Sequence, residues 1–176
     1  MEYAVCGWPT DGPTLRLDYR KFAYAGKFVM SQTGKAVVYE PGRTVESEFE
    51  EDIIAAVAFN EDRTDSQTLW LRYITVRADC RGDGFGARLA SFIAERALAR
   101  GYQRLRIAVN NPFAYEALYK AGFGYTGRET GLAELVLERP AERSKETYQA
   151  GLDVYRERDL SESETEFLDS RMDTEP

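Results

Sequence analysis

Three glycines at alternate positions join a strand pattern to a helix pattern, and this junction limits the possible folds more than any other feature. Gly82, Gly84 and Gly86 follow the strand pattern TLWLRYITV at 68–76, and an amphipathic helix is predicted over 85–100. Glycine has no Cβ, so the backbone here can adopt positive φ and lie close to a ligand. The unpaired N–H groups and the dipole of a helix start attract anions. The junction therefore predicts an anion-binding turn.

Strand and helix patterns alternate on both sides of this junction. Strands are predicted at 14–19, 34–40, 53–59, 68–76, 103–109 and 132–138. A second helix is capped by Asn111 ahead of Pro112 and ends at Gly122. Residues 20–35 fit either a short helix or a bulged strand, and 43–52 is predicted to be an exposed acidic loop. This order predicts an α/β or α+β domain.

The composition excludes several classes of active site. At 176 residues the chain is long enough for one domain with a real core. It contains no histidine, which excludes Ser-His-Asp and Cys-His nucleophile systems and metal sites with histidine ligands. Cys6 and Cys80 are the only cysteines, too few for a structural zinc site. We therefore predict no bound metal, and free thiols in a reducing, cytoplasmic environment.

Charge is unevenly distributed along the chain, whose net charge is −7. Residues 141–176 carry eleven acidic and five basic side chains, whereas 72–106 carry eight arginines against three acidic residues. The positive segment surrounds the glycine junction and predicts a polyanionic ligand there. The acidic remainder would repel nucleic acid, so no nucleic-acid partner is predicted. The longest apolar run is 53–59 and no signal peptide is recognised, so no membrane partner is predicted either.

The composition changes after Pro140, which divides the sequence into a predicted domain at 1–140 and an acidic extension at 141–176. Ser161 to Glu164 fits a capping box at a helix start. Apolar side chains recur at helical spacing on both sides of it, at Tyr148, Leu152, Tyr155, Phe167, Leu168 and Met172. We predict two short amphipathic helices that pack on the domain or, in a homodimer, on a second copy. The alternative is a disordered acidic tail.

Two phosphate-binding motifs fit the glycines poorly. A P-loop needs Gly-Lys-Ser/Thr, and Gly86 is followed by Ala87-Arg88. Gly82 to Ala87 matches the dinucleotide pattern G-x-G-x-x-G/A, but that pattern normally occupies the first strand-to-helix turn, with an acidic residue about twenty positions later. Here several strands come first, and the next strand ends without an acid. A dinucleotide-dependent enzyme is therefore the more distant alternative.

Two motifs together resemble the GNAT N-acetyltransferase superfamily. Arg81-Gly82-Asp83-Gly84-Phe85-Gly86 resembles the family's pyrophosphate-binding signature, Q/R-x-x-G-x-G/A. NNPFAYEALYKAGFGY at 110–125 resembles its second signature, an asparagine-started helix with a tyrosine shortly before Gly-Phe. The resemblance covers residues 68–139. It implies a mixed, mostly antiparallel central sheet flanked by helices, to which the acidic, helical extension is added.

The resemblance implies acetyl-CoA as the co-substrate and a set of residues that bind it. The strand edge at Ile74, Thr75 and Val76 would pair with the pantetheine arm, and the N–H of Val76 would polarise the thioester carbonyl as an oxyanion hole does. Asn110 or Asn111 would contact the pantetheine. The phosphates would be bound by the loop residues Arg81, Gly82, Asp83, Gly84, Phe85, Gly86 and Ala87.

The resemblance also implies an N-acetyltransferase that moves an acetyl group from acetyl-CoA to an amine by direct attack in a ternary complex. Tyr119 matches the tyrosine that protonates the leaving CoA thiolate in many members of the family.

The residues do not identify a general base. Glu40, Glu134 and a relaying water are the candidates, and Cys80 lacks a histidine that would activate it as an acyl carrier. The acidic loop predicts a cationic small-molecule amine or a peptide amine as acceptor. Because a base is not evident, a catalytically silent acyl-CoA-binding sensor is the alternative function.

Overall fold

The computed structural model describes residues 1–42 and 48–176 of the chain, in two compact units, Met1–Leu105 and Arg106–Pro176. The described residues form seven strands in a mixed, mostly antiparallel sheet that is flanked by helices. This confirms the predicted fold class. In the part of the chain that the structure describes, no helix has the length and apolar character needed to cross a membrane. Nor do those residues include a group of three His, Cys, Asp or Glu side chains placed to hold a metal.

Among the described residues of the first unit, four strands pair antiparallel in sequence order. They are β1 at Glu2–Gly7, β2 at Gly34–Tyr39, β3 at Ile53–Glu61 and β4 at Thr68–Val76. Strand β3 is buried from residue 53 to 59, as its unbroken apolar run predicts. Helix α1, Phe85–Arg100, packs on these strands with Leu89, Ile93 and Ala97 buried. Its four-residue apolar spacing therefore marks the core-facing side, as predicted.

Residues 14–19 are not the strand that their alternation predicts. Leu15 and Leu17 are both buried in a core cluster of the first unit. The amide of Leu15 donates to the carbonyl of Phe28 at 2.9 Å, so the segment bonds to a short 3-10 helix and not to a strand. Leu15 and Leu17 are buried at alternate positions, as in a strand, but the segment does not pair with the sheet. The alternation therefore predicted a strand that does not form.

Other differences in the first unit concern short elements. Strand β1 is not predicted by the sequence, because its apolar run is brief and Pro9 follows closely. The ambiguous stretch 20–35 contains a 3-10 helix at Ala25–Val29, in agreement with the short-helix alternative. The predicted acidic loop at 43–52 lies partly outside the described residues, which do not include 43–47.

The second unit takes in most of β5, Arg104–Val109, and continues with helix α2 at Pro112–Lys120. Strand β5 lies beside β7, Leu135–Arg139, which pairs antiparallel with β6, Gly124–Glu129. Strand β6 is not predicted by the sequence. Its pairing is interrupted between Tyr125 and Glu129, and its two glycines weaken the strand pattern.

Both helices predicted for the extension are present, as α3 at Lys145–Arg156 and α4 at Glu162–Ser170. Ser161 and Glu164 form the predicted capping box, with the Ser161 hydroxyl accepting from the Glu164 amide at 3.2 Å and the Glu164 carboxylate accepting from the Ser161 amide at 3.1 Å. Helix α3 packs on β6, and α4 packs on α2 and α3. The extension is therefore an ordered part of the second unit.

Most of the apolar side chains predicted for the extension are buried within the chain itself. Four of them are at most 1% exposed, namely Tyr148, Leu152, Tyr155 and Leu168. The ring of Phe167 lies 4.8 Å from that of Phe113, and Met172 is exposed. The homodimer stays a prediction, but most of the apolar side chains on which it was based pack within a single copy of the chain.

Candidate functional site

The end of β4 presents backbone groups on the edge that faces away from β3. The amide of Arg77 donates to the carbonyl of Ile54 in β3 at 2.8 Å. Because amide directions alternate along a strand, the N–H groups of Val76 and Ile74 point to the opposite edge. The Nε of Arg81 donates to the Val76 carbonyl oxygen at 3.3 Å, in line with this direction. Both residues thus have the orientation that pairing with a pantetheine arm requires.

Thr75 differs from its two neighbours in β4. It pairs with Ala56 of β3, its amide points toward β3, and its side chain is 3% exposed. Its hydroxyl has no hydrogen-bond partner among residues 1–42 and 48–176. Thr75 therefore lies within the predicted segment, but its amide does not point to the edge that would pair with a pantetheine arm.

The loop between β4 and α1 takes its shape from two glycines with left-handed backbone angles. Gly82 has a φ of 88° and Gly84 a φ of 82°. Among the described residues, a Cβ on Gly82 would have no neighbour within 4 Å, and one on Gly84 would have only Arg88 Nη2, at 3.9 Å. Glycine is therefore required here by the dihedral angle, which costs other residues about 1–2 kcal/mol, and not by crowding.

In the part of the chain that the structure describes, no side chain caps the start of helix α1. Gly84 is its N-cap residue, and the first helical hydrogen bond runs from the Arg88 amide to the Gly84 carbonyl at 3.1 Å. The amides of Phe85, Gly86 and Ala87 precede that bond, so they have no acceptor within the helix. With the positive end of the helix dipole, these amides favour an anion at this turn.

Gly86 places the start of α1 directly against the end of β4. A Cβ on Gly86 would lie 3.5 Å from Cγ2 of Val76 and 3.7 Å from Cγ2 of Ile74, which is ordinary contact. The anion-favouring turn is therefore adjacent to the end of β4. The structure brings together the predicted residues from Ile74 to Ala87 within the first unit.

Two arginines of the loop differ in how firmly they are held. Arg88 Nη2 donates to the Asp83 carbonyl at 2.6 Å, and its guanidinium lies 4.8 Å from the centre of the Phe85 ring. Arg81 is exposed, and its 3.3 Å contact with Val76 is long for a hydrogen bond. Arg81 can therefore turn toward a phosphate at small cost, whereas Arg88 supports the loop.

Cys80 is a protonated thiol and not the thiolate that a nucleophile requires. Burial raises its pKa above the ordinary value of 9.0, although Arg77 opposes the effect. Its Sγ lies 3.6 Å from the Asp79 carboxylate, which also favours the protonated form. At neutral pH the sulfur is therefore protonated, which does not suit an acyl carrier.

The two carboxylates considered as general bases belong to different units. Glu40 follows β2, and its Oε1 lies 4.0 Å from Nη2 of Arg77, the residue next to Val76. Glu134 belongs to the turn between β6 and β7, where its carboxylate accepts from the Thr130 hydroxyl at 3.4 Å. Within the first unit, Glu40 is therefore the candidate connected to the end of β4.

The two asparagines after β5 have different roles in the second unit. Asn111 is the N-cap of α2, and its Oδ1 accepts from the Ala114 amide at 2.8 Å, as predicted. Its Nδ2 donates to Oδ1 of Asn110 at 3.3 Å, and Asn110 is exposed. The two side chains thus form one pair at the strand end. Asn110 has more freedom to contact a ligand, because Asn111 is used by the helix.

Tyr119 lies inside an aromatic cluster of the second unit. Its side chain is fully buried, and its hydroxyl accepts from the Tyr125 amide at 2.8 Å. Its ring centre lies 4.9 Å from those of Tyr115 and Tyr148. Sequence reasoning found Tyr119 but not this enclosure, because the ring of Tyr148 comes from the extension.

A cleft of about 300 Å³ in the second unit is lined by Tyr119 and by the C-terminal residues. Its charged groups pair with each other: Glu116 lies 2.7 Å from Arg171 and 2.8 Å from Lys120. The cleft therefore lacks the uncompensated positive charge that a phosphate-bearing ligand requires.

One contact near the predicted asparagines was missed by sequence reasoning. The hydroxyl of Tyr155, on α3, donates to the carbonyl oxygen of Val109 at 3.0 Å. The stripe of Tyr148 and Tyr155 in the sequence predicts a packed helix, but it does not say which surface the helix covers.

The model of the acetyltransferase (GNAT) family matches residues 7–125. No curated protein sequence matches the chain. Among solved structures, nourseothricin acetyltransferase is 18% identical and covers 80% of this chain and 98% of its own, with a TM-score of 0.50.

Two further solved structures are similar over a smaller part of the chain. An N-acetyltransferase from Staphylococcus aureus Mu50 is 20% identical and covers 60% of this chain and 66% of its own, with a TM-score of 0.48. A GCN5-related N-acetyltransferase from Kribbella flavida is 19% identical, with 62% and 68% covered and a TM-score of 0.48. This chain thus spans about two thirds of the length of those two proteins.

The family model spans more than half of the chain and includes both signature motifs, the glycine loop and the asparagine-started helix. The chain therefore belongs to the GNAT acetyltransferase family, which implies acyl transfer from acetyl-CoA.

Proposed function

We propose that the protein is an N-acetyltransferase that moves an acetyl group from acetyl-CoA to an amine by direct attack in a ternary complex. The observation that carries the proposal is the close approach of Gly86 to Val76, with 3.5 Å between the Cβ position and Cγ2. The start of α1, which suits a pyrophosphate, is thus next to the end of β4, where the Val76 amide points away from β3 and suits a thioester carbonyl.

At the phosphate end, the backbone from Gly82 to Ala87 would supply the N–H donors. Gly82 and Gly84 have left-handed backbone angles, and the exposed Arg81 adds a positive charge. The carbonyl of Asp83 is bound to Arg88, so Asp83 would contribute its backbone N–H. Hydrogen bonds from charged donors to phosphate are the strong contacts of such a site.

At the acyl end, the Val76 N–H would donate to the thioester carbonyl oxygen as charge develops on it. The amine nitrogen forms a bond to the carbonyl carbon, the carbon–sulfur bond breaks, and CoA leaves as a thiolate. The amine also loses a proton, for which Glu40 or a relaying water would be the acceptor. A single backbone donor in such a position typically contributes about 10²–10³-fold in rate.

We assign protonation of the thiolate to Tyr119. Its oxygen accepts from Tyr125, so the O–H proton is not used by that bond and can be donated. Thiols ionise near pH 8.5, so a thiolate leaves readily and the acid has a modest effect.

The enclosure of Tyr119 favours one alternative, a catalytically silent acyl-CoA sensor. A general acid must reach the reacting sulfur, and the Tyr119 side chain is fully buried. A sensor would bind acetyl-CoA through the same loop and release no CoA with any acceptor.

The experiment has two steps. Titration calorimetry should give binding of acetyl-CoA and none of NAD, and the reverse result would overturn the assignment of the loop. A panel of cationic amines, polyamines and peptide N-termini is then assayed for CoA release by chromatography, since the free thiols Cys6 and Cys80 interfere with thiol reagents. Turnover on any of them excludes the sensor, and binding without turnover across the panel favours it.

A further inference from the structure

The extension contacts the end of strand β5 through a single buried hydroxyl. Tyr155 is 1% exposed, and its Oη donates to the carbonyl oxygen of Val109 at 3.0 Å. Val109 is the last residue of β5, and Asn110 and Asn111 follow it directly. The hydroxyl therefore holds the peptide from which the asparagine pair starts.

Helix α3 makes a second hydroxyl-to-carbonyl contact, with α2, that involves neither Val109 nor Tyr155. The hydroxyl of Tyr115 in α2 donates to the Tyr148 carbonyl at 3.0 Å. Gly151 allows this approach, because a Cβ there would lie 2.0 Å from the Tyr115 hydroxyl oxygen. Burial raises the pKa of Tyr155, so its hydroxyl stays protonated and remains a donor. The contact with Val109 therefore transmits the position of α3 to the end of β5.

We propose that Tyr155 is a positioning residue for acyl-CoA binding, which acts through Val109 to hold Asn110 and Asn111 in place. This inference rests on the proposed function together with the family resemblance, which implies that Asn110 or Asn111 contacts the pantetheine. Without the hydroxyl, a buried carbonyl loses its donor and the strand end is free to shift. A shift of about 1 Å in a binding group is enough to weaken a site substantially. The extension would then be part of the cofactor site although it lies outside the family match at 7–125.

Tyr155→Phe tests the proposal, with Tyr115→Phe as the matched control. Each variant keeps a buried ring and removes one hydroxyl that donates to a carbonyl at 3.0 Å. We expect Tyr155→Phe to raise the acetyl-CoA Kd and KM about 3- to 10-fold with kcat little changed, as expected for one hydrogen bond. Tyr115→Phe should lower the melting temperature to a similar extent and change the Kd less than about twofold. Equal effects on the Kd, or no effect of Tyr155→Phe, would overturn the proposal.

A second readout does not depend on acetyl-CoA. The side-chain amide NMR signals of Asn110 and Asn111, measured without ligand, should shift or broaden in Tyr155→Phe and stay in place in Tyr115→Phe. Unmoved signals in Tyr155→Phe would contradict the positioning role. If the wild type binds no acetyl-CoA while the signals move as expected, the proposed function fails and the hold of Tyr155 on the strand end stands.

Discussion

The hydroxyl of Tyr119 accepts a hydrogen bond of 2.8 Å from the backbone amide of Tyr125, at the start of β6. This bond gives the hydroxyl a structural task in addition to any part in proton transfer. Removing it leaves the Tyr125 amide without its acceptor. A variant that lacks the hydroxyl is therefore expected to change both stability and rate.

Tyr119→Phe should lower the free energy of unfolding by about 1–3 kcal/mol, because the Tyr125 amide loses its partner. Turnover should fall about 10²-fold, the lower end of the range for a general acid, because a thiolate is a good leaving group. Urea unfolding and steady-state kinetics measure the two effects separately. Tyr115→Phe is the control and should leave turnover nearly unchanged. A destabilised Tyr119→Phe variant with full turnover would show that the proton comes from water or substrate.

Arg81→Ala should weaken acetyl-CoA binding by about 1.5–3 kcal/mol, the range for a hydrogen bond to a charged group. Stability should hardly change, because the side chain is exposed and its contact with Val76 is long. Arg100→Ala is a matched control at the other end of α1, where the guanidinium lies 4.6 Å from the centre of the Trp8 ring. Calorimetry measures both affinities, and an equal loss in the two variants would indicate a general charge effect.

Alanine at two glycines of the loop should have opposite effects on stability. Gly84→Ala should cost about 1–2 kcal/mol, because the φ of 82° is unfavourable for any residue with a Cβ. Gly86→Ala should be neutral or stabilise by up to about 1 kcal/mol, because the site is helical and its Cβ makes ordinary contacts. Denaturant unfolding of both variants measures the sign. Destabilisation by both would mean that the loop excludes a Cβ by crowding.

The elements that could be predicted from the sequence are those whose structure depends on residues close in sequence. Strand β3, helix α1 and the capping box of Ser161 could be predicted, because each depends on neighbours a few residues away. The glycine loop could be predicted for the same reason, since positive φ is a property of one residue. These features were enough to predict the glycine turn and the helix start that follows it, which favour an anion.

The rest depends on contacts between residues distant in sequence. Leu15 and Leu17 alternate like a strand, and only the path of the chain around Phe28 decides that they do not join the sheet. Tyr119 and Tyr148 are 29 positions apart by their numbers, so no local pattern predicts that their rings meet. Tertiary packing therefore decided the environment of the proposed acid, and the sequence could supply only its identity.

Glu116 should make the attachment of α4 sensitive to acid. Burial raises the pKa of this carboxyl. Hydrogen bonds from Arg171 and Lys120 together lower the pKa by more than burial raises it, so the pKa is below the ordinary value of 4.5. A carboxyl whose pKa is lowered by folding stabilises the protein above its unfolded-state pKa, and this contribution is lost as the pH falls through the folded-state pKa.

Glu116→Gln should therefore be less stable than the wild type by about 1–3 kcal/mol at neutral pH, and the difference should shrink below about pH 4.5. Thermal unfolding over a pH series measures the difference. Asp153→Asn is the control, because its ion pair with Arg156 is exposed and should contribute less than about 1 kcal/mol. A gap between Glu116→Gln and wild type that does not change with pH would assign the effect to packing.

Gly151→Ala should destabilise the protein although alanine is the better helix former. The new Cβ would lie 2.0 Å from the Tyr115 hydroxyl oxygen and 2.4 Å from its Cζ, so α3 or the ring must move. Overpacking of this kind costs about 1–3 kcal/mol, which exceeds the gain of about 1 kcal/mol from helix propensity. Gly131→Ala is the control, since a Cβ there has no described neighbour within 4 Å. Equal melting temperatures for the two variants would show that α3 can shift without loss.

The burial of Tyr115 by α3 has a consequence for how the chain matures on the ribosome. Tyr115 is synthesised 33 residues before Tyr148, whose carbonyl it binds. Domains fold as units during synthesis, and incomplete intermediates expose apolar surface. The rings of Tyr115 and Tyr119 therefore stay uncovered until α3 has left the exit tunnel. A stall between α2 and α3 would leave a nascent chain with its first unit complete and its second unit an attractive target for chaperones.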